Sequence, residues 1–221
     1  MSNRRQVTVN AFGIGVATGA YGISFGAIAI ASGLSPWQTQ LLSLGMFTGA
    51  SQFALVGVLG AGGGAVAAVL TAFLIGTRNG LYSMHVAQSL QFRGWRVPVA
   101  AQLTIDESTA MAMAQQERPL ARHAFWATGI AVFICWNVGT ALGWLGASFI
   151  GDPRTLGLDA AIPAGFIALL WPRLRGRLPI VVAIVGAGLA LALVPFAPAG
   201  VPILASSLVA AVAGLLSRES R

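Results

Sequence analysis

The chain has very little charge. Of its 221 residues only 9% are charged, against 56% that are hydrophobic, and the mean hydropathy is +0.78. A soluble globule carries about a quarter of its residues charged, so this composition excludes one. Lysine is absent altogether: the thirteen basic residues are all arginine, and nearly all fall between apolar segments. With no soluble face to gather on, these arginines form no nucleic-acid surface; they mark the inner ends of membrane spans. Cysteine is almost absent too. Cys135 stands alone in an apolar run, so it makes no internal disulfide, fixes no redox compartment and reads as a small buried hydrophobe. Low-complexity tracts are missing and no internal repeat is visible. Ala29-Ile30-Ala31 fits a leader-cleavage pattern only as well as any alanine-rich stretch does, so no cleaved leader is expected.

What is present is apolar sequence in long runs. A hydrocarbon core about 30 Å thick takes roughly 20 apolar residues per helix. The expected fold is all-α: one integral membrane domain over residues 1–221, a polytopic bundle of about seven to eight segments, some broken or re-entrant. In the first span, small residues recur at Ala11, Gly15, Gly19, Gly22, Gly26, Ala29 and Gly33. Spacings of four and three keep them on one helix face. Such a face serves close helix packing, or else a flexible helix beside a solute path. Ser35-Pro36 opens a second segment, Trp37 to Gly60, with proline in a first turn.

Inside that segment lies Phe47-Thr48-Gly49-Ala50-Ser51-Gln52-Phe53. Glycine and alanine admit a close backbone, while Thr48, Ser51 and Gln52 bring hydrogen-bonding groups that hydrocarbon does not satisfy. The patch is therefore a packing seam or a binding seam. A third apolar run, from Ala65, is interrupted by Gly76-Thr77-Arg78-Asn79-Gly80 before helical character resumes to Leu90. An arginine at membrane depth faces protein or water; one at the end of a span snorkels to the interface. Arg78, Tyr82 and His85 share a helix face. Further on, Thr104-Ile105-Asp106-Glu107 fits a capping box with both carboxylates in a first turn. A carboxylate there is also placed to neutralise Arg78, bind an ammonium or carry a proton.

Counting crossings by the arginines gives two answers. Forward from Arg4 and Arg5 inside, three crossings put Arg93 and Arg96 outside; backward from Arg173, Arg175 and Arg177, Arg118 and Arg122 fall inside. The counts agree if Val97 to Gln116 enters the membrane, if an earlier segment is re-entrant, or if the N-terminus is outside. We expect the acidic segment to enter the bilayer at least partly. Leu158 to Trp171 is short for a span, with Asp159 as a cap and Pro163 breaking the ladder. Interrupted elements of that kind also build solute sites in transporters.

Several of these stretches together resemble the AzlC family of branched-chain amino acid permeases. The glycine-lined first span leading into Ala31-Ser32-Gly33-Leu34-Ser35 is similar to the family's opening, and Phe47 to Phe53 to its most specific motif. Arg78-Asn79-Gly80-Leu81-Tyr82, Thr104 to Ser108, and Gly157-Leu158-Asp159-Ala160-Ala161-Ile162-Pro163-Ala164 follow in the family's order. Thr77 and Asn79 depart from it, standing where asparagine and histidine are expected. The resemblance implies the large subunit of a two-component exporter in a bacterial cytoplasmic membrane. Its cargo is a branched-chain or similar amino acid, and its partner a small AzlD-like membrane subunit.

A branched aliphatic zwitterion needs a carboxylate site, an ammonium site and an apolar pocket. Backbone N–H groups near Gly49, Ala50 and Ser51, or else Arg78 with Asn79, suit the carboxylate. Asp106 or Glu107 suits the ammonium. Phe47, Phe53 and Tyr82 suit the pocket, beside Gln52. Gly15, Gly19, Gly22, Gly26, Asp159 and Pro163 are structural or gating candidates. No cofactor, metal or catalytic residue is expected. A hydrolase built on Ser51 and His85 lacks the glycine expected beyond the serine. The remaining alternatives are an accessory subunit without its own path, and a carrier or channel for another small solute.

Overall fold

The structure, a computed structural model, describes residues 4–149, 167, 170, 171, 174–198 and 200–219. These form nine α-helices and no strand: α1 Arg4–Ala31, α2 Pro36–Gly45, α3 Ala50–Gly60, α4 Ala65–Leu90, α5 Arg96–Gln102, α6 Asp106–Met113, α7 Arg118–Phe149, α8 Arg177–Leu193 and α9 Val201–Glu219. Three of them, α1, α4 and α7, are long and apolar enough to cross a membrane.

The glycine stripe of α1 lies against α7. A Cβ on Gly19 would fall 2.8 Å from the carbonyl oxygen of Cys135, and one on Gly22 would fall 2.6 Å from that of Trp136. A Cβ on Gly26 would run into the Thr140 carbonyl; across the seam, Gly139 and Gly143 approach the backbones of Gly19 and Ile23. The stripe is thus a packing face. Residue numbers rise together along the two helices, from Gly15 opposite Ala131 to Gly26 opposite Trp144, so α1 and α7 run parallel. Thr8 Oγ1 and His123 Nε2, 2.9 Å apart, join their starts.

Between α1 and α4 the chain makes a helical hairpin instead of a crossing. Ser35 caps α2, its Oγ accepting from Gln38 N–H at 3.3 Å while Gln38 Oε1 accepts from Ser35 N–H at 2.8 Å, with Pro36 in the first turn. The ten residues of α2 span roughly 15 Å, half the depth of a bilayer core. The chain then reverses at Gly49, whose φ of 56° suits only a residue without Cβ. Gln52 secures the turn: its Oε1 accepts from Gly49 N–H at 3.1 Å and its Nε2 donates to Leu42 C=O at 3.1 Å. Helix α3 returns to its starting level, since a Cβ on Gly60 would lie 2.7 Å from Ser32 Oγ. The outer arm α2 is fastened to α7 by Ser43 to Thr140 at 3.0 Å, Gln40 Nε2 to Asn137 Oδ1 at 3.2 Å, and Trp144 Nε1 to Gln40 Oε1 at 3.1 Å.

Helix α4 then crosses as one unbroken rod through Gly76 to Gly80, where the sequence suggested an interruption. Its lower end is held by α7: Arg122 Nε donates to Leu90 C=O at 2.7 Å, and Arg118 Nη1 donates to Gln91 Oε1 at 3.1 Å. A second hairpin, α5 and α6, rises from that end and turns back into the start of α7. At its tip Gln102 Nε2 donates to Leu44 C=O at 2.8 Å, so the two hairpins enter from opposite ends and meet at mid-depth.

This arrangement corrects the forward count. Arg93 and Arg96 lie at the same end as Arg4, Arg5, Arg118 and Arg122, because the segment from Trp37 to Gly60 does not cross. The acidic segment does enter the bundle and return, as expected. The cap of α6 is shifted by one residue from the expected box. Its N-cap is Ile105, whose N–H donates to Ser108 Oγ at 3.1 Å, while Thr104 Oγ1 donates back to Ala100 C=O at 2.7 Å. Helices α8 and α9 pack on each other, and α8 buries no residue.

Candidate functional site

The two hairpin tips, α1, α4 and α7 enclose a cavity of about 360 Å³. The first tip contributes Phe47, Thr48, Gly49, Ala50 and Phe53; the second contributes Ile105, Asp106 and Glu107. Helix α4 adds Ile75, Arg78 and Asn79, α1 adds Thr18 and Tyr21, α7 adds Val132 and Trp136, and Leu170 completes the wall. Both α3 and α6 begin at this cavity, so both present the positive ends of their dipoles to it.

The charge arrangement follows from the second tip. Asp106 opens α6, where its negative charge is favoured, and its Oδ2 lies 3.0 Å from Arg78 Nη1 on α4, each side chain being 29% exposed. An opposite-charge pair thus sits where the half-helices converge. The apolar wall is aromatic. Phe25 and Trp136 stack at 6.1 Å, and the Phe53 ring stands edge-on to both, at 5.8 Å from Phe25 and 6.3 Å from Trp136. Phe47 packs edge-on to Phe133 at 5.0 Å.

Several polar atoms of this region are buried without a hydrogen-bond partner: Thr48 Oγ1, Arg78 Nε, Asn79 Oδ1 and Trp136 Nε1, on residues that line the cavity, and Ser51 Oγ on a neighbouring residue of α3. Leaving such a group unsatisfied costs about 1–3 kcal/mol, so a cluster of them calls for a solute or water to meet them. The wall can accordingly hold a small molecule with charged or polar groups at one end and an apolar body.

Of the residues singled out from sequence, Phe47, Gly49, Ala50, Phe53, Arg78, Asn79, Asp106 and Glu107 are brought together on this wall. Ser51 and Gln52 are fully buried but face away from it, Gln52 being committed to the hairpin turn. Tyr82 is half-buried and His85 exposed, a turn or more beyond Arg78 and off the wall. Asp159 and Pro163 lie outside the described residues. Thr18, Tyr21 and Trp136 had no local signal: each is one residue in an ordinary apolar run, and only the packing of α1 and α7 aims it inward.

A sequence profile described as AzlC protein matches residues 13–150. The chain belongs to the AzlC family. The matched region takes in both hairpins, α1 from Gly13 onward, and the whole of α4 and α7, hence nearly every element of the cavity. Among similar proteins, an uncharacterized membrane protein of Archaeoglobus fulgidus is 33% identical over 177 residues, covering 78% of this chain and 77% of its own length. An uncharacterized membrane protein of Helicobacter pylori is 25% identical over 151 residues, covering 67% of this chain and 65% of its own. No solved structure gives a significant match. This AzlC-family chain is a membrane protein.

Proposed function

We propose that this AzlC-family chain is the large subunit of a secondary transporter that exports branched-chain or similar small apolar amino acids. It would act in a bacterial cytoplasmic membrane with a small AzlD-like subunit. The observation that carries the reading is the Arg78–Asp106 pair at 3.0 Å on the wall of a largely apolar cavity between two opposed hairpin tips. A zwitterion offers both of its charges to such a pair, and its aliphatic part suits the surface of Phe47, Phe53 and Trp136. Broken helices that present their ends at mid-depth are how transporters bind polar groups away from bulk water.

The test is export from cells. Cells expressing the chain with and without its small partner are loaded with leucine- or valine-containing dipeptides, and free amino acid is followed outside. Partner-dependent release above an empty-vector control is expected. Release equal to the control overturns the assignment.

A further inference from the structure

Two groups on the cavity wall can only donate. Arg78 Nε–H and Trp136 Nε1–H have no accepting capacity, both are buried, and neither meets an acceptor. Arg78 uses a different nitrogen, Nη1, for Asp106, so its Nε–H makes no hydrogen bond while the ion pair is intact. Trp136 is 6% exposed and its ring is held by Phe25 and Phe53. Its Cη2 lies 3.7 Å from where a Cβ on Gly49 would stand, against the first tip. The indole therefore cannot swing to another acceptor without breaking the aromatic cluster. At these two donors, beside a guanidinium and two helix N-termini, the fitting occupant is an anionic group.

We infer that Trp136 is a ligand-binding residue: its indole N–H and the Arg78 Nε–H together hold the carboxylate of the cargo, while Asp106 stays on Nη1 as the positioning residue. The inference rests on the transport reading above. It makes Asp106 an orienter of Arg78 and not a group that the cargo displaces. It also assigns carboxylate recognition to α7, a helix that none of the sequence motifs touches.

The experiment measures equilibrium binding of leucine and of isoamylamine, which keeps the ammonium and side chain but lacks the carboxylate, to the full chain purified with its partner. Trp136→Phe keeps a ring against Phe25 and Phe53 and removes the N–H. Arg78→Lys keeps the charge and removes Nε. Each is expected to weaken leucine binding about tenfold to a hundredfold and isoamylamine binding by much less. Leucine affinity unchanged in Trp136→Phe overturns the inference, as does an equal loss for both ligands, which marks a packing role. The wild-type protein gives a control that does not depend on any variant folding: equal affinity for leucine and isoamylamine also overturns the inference. Binding of neither ligand by the wild type defeats the transport reading itself, whereas binding with an unaffected Trp136→Phe defeats this inference alone.

Discussion

Arg78 and Asp106 are each other's compensation in a place where neither charge is well solvated. Removing one partner takes from the other the opposite charge 3.0 Å away, which costs more than removing both. Arg78→Ala and Asp106→Ala should each lower the melting temperature of the detergent-purified protein, and the double variant should melt above both singles; all three should lose transport. A double variant that melts below either single would show that the pair does not compensate itself. Gln52 has a different duty. Gln52→Ala leaves Gly49 N–H without its acceptor at a part-buried turn and takes from Leu42 C=O one of its two donors, Met46 N–H remaining, with an expected loss of about 1–3 kcal/mol in stability. Thermal unfolding checks it, and a stability equal to wild type would show that water replaces the side chain. Sequence alone marked the stretch from Phe47 to Phe53 but did not separate its duties. Helical periodicity does not carry across a left-handed turn, so nothing local told that Gly49 and Ala50 face the cavity while Ser51 and Gln52 face away.

At the scale of elements, the seam between α1 and α7 is the best-specified contact. The stripe of small residues announced a flat face, but its partner was hidden, because Gly139 and Gly143 are only part of a long apolar run. Gly22→Leu or Gly26→Leu would drive side-chain atoms into the backbone at Trp136 and Thr140, overpacking that costs about 1–3 kcal/mol or more. Gly13→Leu, with open space beside it, should be tolerated. A melting series on the three variants checks the contrast, and equal melting temperatures would deny that the face is a seam. The hairpins were legible only in outline. Ser35-Pro36 and the acidic first turn gave the starts of α2 and α6. Whether a run of about 24 residues crosses or doubles back depends on tertiary hydrogen bonds such as those of Gln52 and Gln102, which no local pattern contains.

For the whole molecule, the parallel course of α1 and α7 makes the topology testable. With Cys135 replaced by alanine, single cysteines at Arg5, Arg93 and Arg118 should all react with an impermeant thiol reagent from one side, and a cysteine at Ala61 from the other. Arg93 labelling on the side of Ala61 would restore a crossing between α1 and α4 and break the fold described. The two hairpins also have a mechanical meaning. Neither passes from face to face, so either can be drawn back toward its own side without pulling a single residue through the oil. Gln102, resting on the end of α2, is where the one bolt abuts the other. Under the transport reading proposed above, withdrawing one bolt while the other stays home would open a vestibule to a single compartment, the action of an airlock.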